Sequence, residues 1–204
     1  MFITYLFSKP VLFFAVIIAV GFSVCVHEFF HAYIALKCGD STAADHGHLT
    51  LNPLKQMGII SIFMLLMLGL CWGAVPVNPA RLSRGKRIAV SLAGPAANLG
   101  MFIIGAAACL IAIRYDNAEV LKLAVIFTQL NMVLFILNMM PVPGFDGGSV
   151  FLELIGRDKV YSSELGKGFM LGTFLLLFCL IDQIYVWSKV ATVKVVELLD
   201  KLFL

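Results

Sequence analysis

Charge is what this chain has least of. Asp, Glu, Lys and Arg make up 13% of its 204 residues, about half the share found in a soluble domain. The deficit excludes an ordinary water-soluble globule and a disordered chain, both of which need a charged surface. The net charge of +3 is small and scattered along the chain, so no nucleic-acid partner is expected. A pairing logic for cysteine is missing too. Cys25, Cys71, Cys109 and Cys179 sit inside apolar runs and Cys38 just after one. That odd, dispersed set forms neither a disulfide framework nor a CxxC zinc site, and it reads as small hydrophobes. The chain also lacks internal repeats, low-complexity tracts and long linkers. No cleavage-site pattern follows the first apolar run, so the amino terminus is expected to be retained.

What is present is apolar surface, 61% of the residues, gathered into runs that suit a lipid bilayer. Helices are expected at 10–36, 88–113, 120–142 and 167–187, each near the roughly 20 residues that a crossing needs. Tyr185 and Trp187 would anchor the last at the interface. The segment 188–204 sets Val193, Val196, Leu199 and Phe203 near one helical face and Lys194, Glu197 and Lys201 largely on the other. It predicts an interfacial amphipathic helix. Residues 48–52 alternate apolar and polar and predict a short membrane-associated strand ended by Pro53. With Pro76 and Pro79, 75–79 cannot be regular helix. The fold expected is an all-α polytopic membrane protein of one domain, 1–204. It has about four full transmembrane helices, one re-entrant or surface-lying apolar segment at 58–76, and the short β element.

Inside the first apolar run lies His27-Glu28-Phe29-Phe30-His31, an HExxH motif. On a helix, positions i and i+4 share a face, so both imidazoles can reach one Zn²⁺. Glu28 is then placed to accept a proton from a water that the metal activates. With four His and five Glu in the chain, the pattern should arise by chance in roughly 0.2% of such sequences. Two core histidines beside a paired glutamate would be the bland alternative. Three ionisable side chains in five membrane-embedded residues argue against it. A catalytic zinc needs a third protein ligand. Asp146, after the proline-broken segment 138–145, is the candidate, although alone it reads as the turn residue of an Asp-Gly pair. Asn98 reads equally as a buried amide bonding between helices. His46 and His48 lie outside the apolar runs and read as surface residues.

HExxH on one transmembrane helix, followed later by Asn138, Pro141, Pro143 and Asp146-Gly147, resembles the site-2 protease family of M50-type intramembrane zinc metalloproteases. The resemblance is to a compact form, in which no PDZ or CBS domain is expected. Residues 47–53, 76–79 and 93–98 resemble blocks that small members carry between the two motifs. The resemblance implies that His27, His31 and Asp146 hold one Zn²⁺ per chain and that Glu28 is the catalytic base. Asn98 matches the asparagine of the AGPxxN block, implied to hold the substrate or polarise its carbonyl. Asn138 and the two prolines are implied to shape the loop beside the metal and the substrate. Phe145 stands where leucine is usual, a conservative change that leaves the ligand set intact.

The ligands also constrain topology. His27 and His31 lie towards the carboxyl end of the first helix and Asp146 at the carboxyl end of the fourth run. One metal can touch both only if those helices run the same way, which needs an odd number of crossings between them. The segment 58–76 is therefore expected to enter and leave from one side, where protein or a water-filled cavity satisfies its backbone. Lys37, Lys55, Arg81, Arg84, Lys86, Arg87, Arg157, Lys159 and Lys167 then fall on the active-site side, and Lys9, Arg114 and Lys122 opposite. That bias puts the site nearer the cytoplasm of a prokaryotic inner membrane.

The expected reaction is hydrolysis of peptide bonds within or next to transmembrane helices. Leu49, Thr50 and Leu51 would receive the unwound substrate by edge pairing. The expected partners are a transmembrane protein or peptide substrate, the lipid bilayer, and a second copy or regulatory membrane partner. Two rivals keep the same apolar fold. One is a catalytically silent helix-binding protein, distinguished by zinc content and Glu28→Gln. The other is an ion transporter, distinguished by ion flux, although the chain lacks a transporter's repeated halves.

Overall fold

The structure, a computed structural model, describes residues 2–142, 144–156 and 163–202. Pro143, Arg157, Lys159 and Phe203, which carry expectations above, lie outside them. Its helices are α1 (Tyr5–Ser8), α2 (Pro10–Lys37), α3 (Thr42–Asp45), α4 (Pro53–Gln56) and α5 (Gly58–Leu68). After these come α6 (Arg84–Arg114), α7 (Ala118–Met139), α8 (Asp146–Ile155) and α9 (Glu164–Leu202). The chain is an all-α polytopic membrane protein. Among the described residues, three helices, α2, α6 and α7, are long and apolar enough to cross a bilayer.

These three form the centre. α6 and α7 are joined by a three-residue turn and run antiparallel, with Gly105 beside Thr128 and Asn98 bonded to Asn131. α2 is antiparallel to α6, since His27 meets Asn98 and His31 meets Val90. α2 and α7 therefore run the same way, as the ligand argument requires, with Phe22 against Phe127 and one long helix between them. Val20, Val24 and Cys25 face inward while Phe14, Ile18 and Phe22 stay exposed. A helix apolar on both faces is suited to lipid on one side and protein on the other.

The segment 58–76 doubles back. α5 has 11 residues, about 16 Å of rise and roughly half a bilayer core. It stops at Gly69, whose φ of +74° is left-handed and ends the helix without the strain a side chain would add. The chain then returns without regular secondary structure over 70–78. Trp72 N donates to Ser61 Oγ, Ser61 Oγ donates to Trp72 O, and Ala74 N donates to Gln56 O at 3.1 Å. The two ends of the segment thus lie side by side.

Two expectations are corrected. Residues 48–52 form no strand, and none is assigned among the described residues. Their alternation has no partner strand. Instead, the buried Gln56 gathers the loop, its Nε2 donating to His48 O at 2.9 Å and Thr50 O at 2.6 Å. Nor does the chain divide at 187/188, because α9 is one continuous helix. No Gly or Pro follows position 172. The Ser188 and Thr192 hydroxyls bond back to Tyr185 O and Ser188 O inside the helix.

The basic cluster has partners of its own. Arg84 Nη2 donates to Leu154 O, Lys86 Nζ to Cys38 O, and Arg87 Nη2 to Glu153 Oε2 at 2.7 Å. Arg81 lies 3.6 Å from Asp40. Asp40 is fully buried and accepts from Thr42 N, Thr42 Oγ1 and Asn78 N. Burial pushes its pKa up, but those donors and the Arg81 charge outweigh it and hold the carboxyl below the usual carboxylate range. A lowered folded pKa gives stability that is complete above the unfolded value of about 4 and fades as pH falls through the folded one. Asp40→Asn should cost about 1–3 kcal/mol at pH 7, with the deficit shrinking below about pH 4. Thermal melts across pH check this. Single cysteines at positions 55 and 84 should label from the same side of a sealed vesicle, and opposite-side labelling would sink the hairpin reading.

Candidate metal centre

α2 carries His27 and His31 one turn apart, and the start of α8 brings in Asp146. His27 Nε2 lies 3.0 Å from Asp146 Oδ2, His31 Nε2 lies 3.3 Å from Asp146 Oδ1, and the two Nε2 atoms are 3.0 Å apart. The other ring nitrogens are committed elsewhere. His31 Nδ1 is 2.7 Å from Val90 O, which can only accept, so it carries the proton. His27 Nδ1 donates to Asn98 Oδ1 at 2.6 Å, because the Asn98 amide nitrogen is already donating to Asn131 Oδ1.

With Nδ1 committed, each imidazole turns its Nε2 towards the other and towards a carboxylate oxygen, and as a neutral ring would offer a lone pair there. Asp146 Oδ2, though buried, has no hydrogen-bond partner. His27, His31 and Asp146 offer three ligand atoms within 4.8 Å of one another, a set that could hold a metal ion. A tetrahedral zinc about 2.0–2.1 Å from N and O ligands would set them roughly 3.3 Å apart. The donor set fits zinc. The bonds from Nδ1 to Asn98 and Val90 are the outer contacts that orient such ligands.

The local sequence explains why the cage can form. Gly94 crosses the two imidazoles so closely that a Cβ there would collide with His31 Nε2 and His27. Pro95 cannot donate to Ser91 O, which loosens α6 beside the carbonyl that His31 uses. Asp146 is the first residue of α8, whose amino-terminal partial charge favours a carboxylate. Gly147 lets α8 abut the last carbonyls of α7, where a Cβ would meet Met139 O. Arg87–Glu153 and Arg84–Leu154 fasten the other end of α8 to α6.

A cavity of about 460 Å³ opens on the cage, lined by His27, Glu28, His31, Asn98, Asn138 and Asp146 among others. Glu28 is buried to 8% exposure. Asn98 lies behind His27, with its oxygen on the ring and its amide on Asn131. Asn138 bonds back to Leu134 O and also borders the cavity. Leu49, Thr50 and Leu51 are not brought to it. The returning segment stands there instead, and a Cβ on Gly73 would strike Glu28. Sequence reasoning missed Gly73, Asn131, the Val90 carbonyl and Glu153. Only the glycine and proline cluster at 93–95 hinted at so close an approach. Gly94→Ala should lower zinc affinity about 10–100-fold, whereas Gly100→Ala, with open space beyond it, should not. Zinc titration of both checks this.

Residues 110–180 match Peptidase family M50. The chain is 35% identical over 170 residues to the Bacillus subtilis (strain 168) protein named "Putative zinc metalloprotease YwhC", covering 76% of each. It is 31% identical over 163 residues to "Putative zinc metalloprotease Rip2" of Mycobacterium tuberculosis H37Rv, covering 76% of this chain and 63% of that one. The Rip2 of Mycolicibacterium smegmatis is 36% identical over 136 residues, 61% of this chain and 51% of its own. No solved structure matches. With its three ligand atoms converging beside a buried glutamate, the chain belongs to peptidase family M50, the site-2 protease family of zinc metallopeptidases.

Proposed function

We propose that this metallopeptidase is an intramembrane endopeptidase, cutting peptide bonds within or next to transmembrane helices of membrane-protein substrates. One observation carries the reading. Both histidines of the cage and Glu28 lie on α2, an apolar helix long enough to cross a bilayer, and two more such helices line the same cavity. A substrate bond reaching Glu28 must come into that depth. His27, His31 and Asp146 would hold one zinc per chain, and when bound the metal would lower the pKa of a water and polarise the scissile carbonyl. Glu28 takes the proton of the attacking water and returns it to the leaving amine. Asn98 holds the His27 ring, and Asn138 helps line the cavity that admits water and substrate.

The returning segment supports a route for the substrate. Trp72 and Ala74 turn their amides to the hairpin, and Gly73 between them stands against Glu28. An unwound substrate can pair there above Glu28. We place the protein as a multi-pass protein of a prokaryotic inner membrane, with an external amino terminus and its site nearer the cytoplasm. The lysines and arginines of the site end support that orientation.

Purified protein in detergent should cleave members of a panel of single-span membrane peptides. Glu28→Gln should keep its zinc and lose about 10²–10⁴-fold in rate. Cleavage undiminished in Glu28→Gln contradicts the mechanism, and cleavage confined to soluble peptides contradicts the substrate class.

A further inference from the structure

Asn131 belongs to none of the motifs that carry the family resemblance, yet it is fully buried on α7. A primary amide at that depth is costly unless bonded. Its Nδ2 donates to Phe127 O at 2.9 Å, and its Oδ1 accepts from Asn98 Nδ2 at 3.2 Å. Asn98, also fully buried, accepts from His27 Nδ1 at 2.6 Å.

The two ends of a carboxamide differ, and that difference propagates along this chain of bonds. Phe127 O can only accept, so the Asn131 nitrogen must face it and the Asn131 oxygen must face Asn98. Asn98 must then offer its nitrogen to Asn131 and its oxygen to His27. His27 in turn must carry its proton on Nδ1 and present a bare Nε2 to His31 and Asp146. An Asn98 amide turned the other way would present N–H to Nδ1 and leave the proton on Nε2, where it blocks a metal. A backbone carbonyl of α7 thus sets the face that His27 on α2 shows, through two amides on two helices.

We propose that Asn131 is a positioning residue for the metal centre, fixing the Asn98 amide so that His27 Nε2 faces the site as a ligand. This rests on the zinc-peptidase reading above. Asn131 touches neither substrate nor metal and acts only through Asn98.

The test is zinc affinity of the full chain in detergent, by competition with a chromophoric chelator, together with the visible spectrum of the Co²⁺-loaded protein. Asn131→Leu keeps the volume and removes the acceptor, and Asn131→Ala removes it with less steric demand should the leucine chain not fold. Each should weaken zinc about tenfold and alter the cobalt spectrum, at the low end of outer-contact effects. Asn131→Asp still accepts from Asn98 and should stay within about twofold of wild type. Thr128→Val, one turn away and bonded among the described residues to Ala124 O and Cys109, should change neither readout. In an Asn98→Leu background, Asn131→Leu should add no further loss. Wild-type affinity and spectrum in the leucine and alanine variants would overturn the proposal, as would a full additional loss in the Asn98→Leu background. A wild-type chain that binds neither metal overturns the zinc reading and this inference with it.

Discussion

Four potential ligand atoms meet at one point. Two imidazole nitrogens and the two oxygens of one carboxylate lie 3.0–3.3 Å from their neighbours, at the edge of the cavity between the apolar helices. The other ring nitrogens donate to Val90 O and Asn98, which leaves both Nε2 atoms facing Asp146 as a set that could hold a metal ion. The rest of the architecture follows from holding that cluster together. α2 supplies both rings on one face. α6 supplies a glycine where a side chain would fill the cage, a carbonyl for one ring and an amide for the other. α7 delivers the chain to Asp146 at the same end, which is why α2 and α7 must be parallel.

Scaffolding divides between two environments. At the depth of the cage it is made of buried neutral hydrogen bonds, Asn131 to Asn98 to His27 and His31 to Val90, which cost little in an apolar setting when fully paired. At the polar end it is made of charge, with Arg87 on Glu153 and Asp40 gathering Thr42, Asn78 and Arg81. The second group holds α8 and the exit of the returning segment, the two pieces that close over the cavity. Gly73 is the meeting point, because a side chain there would occupy the space of the Glu28 carboxylate. The segment over Glu28 is thus tied at Gln56, Ser61 and Asp40 and left without a side chain at its centre.

The parts legible in the sequence were those with a period or a parity. Apolar runs of sufficient length marked α2, α6 and α7. HExxH marks the candidate ligand face, and the need for one metal to touch both ends requires 58–76 to turn back, as α5 and the return from Gly69 do. Alternation at 48–52 misled, because a strand needs a partner and here Gln56, 1% exposed, satisfies the loop's carbonyls instead. The division at 187/188 failed because a change in surface polarity does not end a helix that has no breaker. The Val90 carbonyl carries no side-chain signal, and Asn131 looked like any polar residue in a long apolar run. The basic cluster read as a topological marker, while each of its members also fastens a particular neighbour.

The most direct test of the central claim is zinc K-edge X-ray absorption on the purified chain, which distinguishes Zn–N and Zn–O at about 2.0–2.2 Å from Zn–S at about 2.3 Å. The account predicts one zinc per chain, two imidazoles and oxygen ligands only, with an imidazole-plus-oxygen signature that is lost together with the metal in His31→Ala. A sulfur ligand from any of the five cysteines, or an unchanged first coordination sphere in His31→Ala, would contradict it.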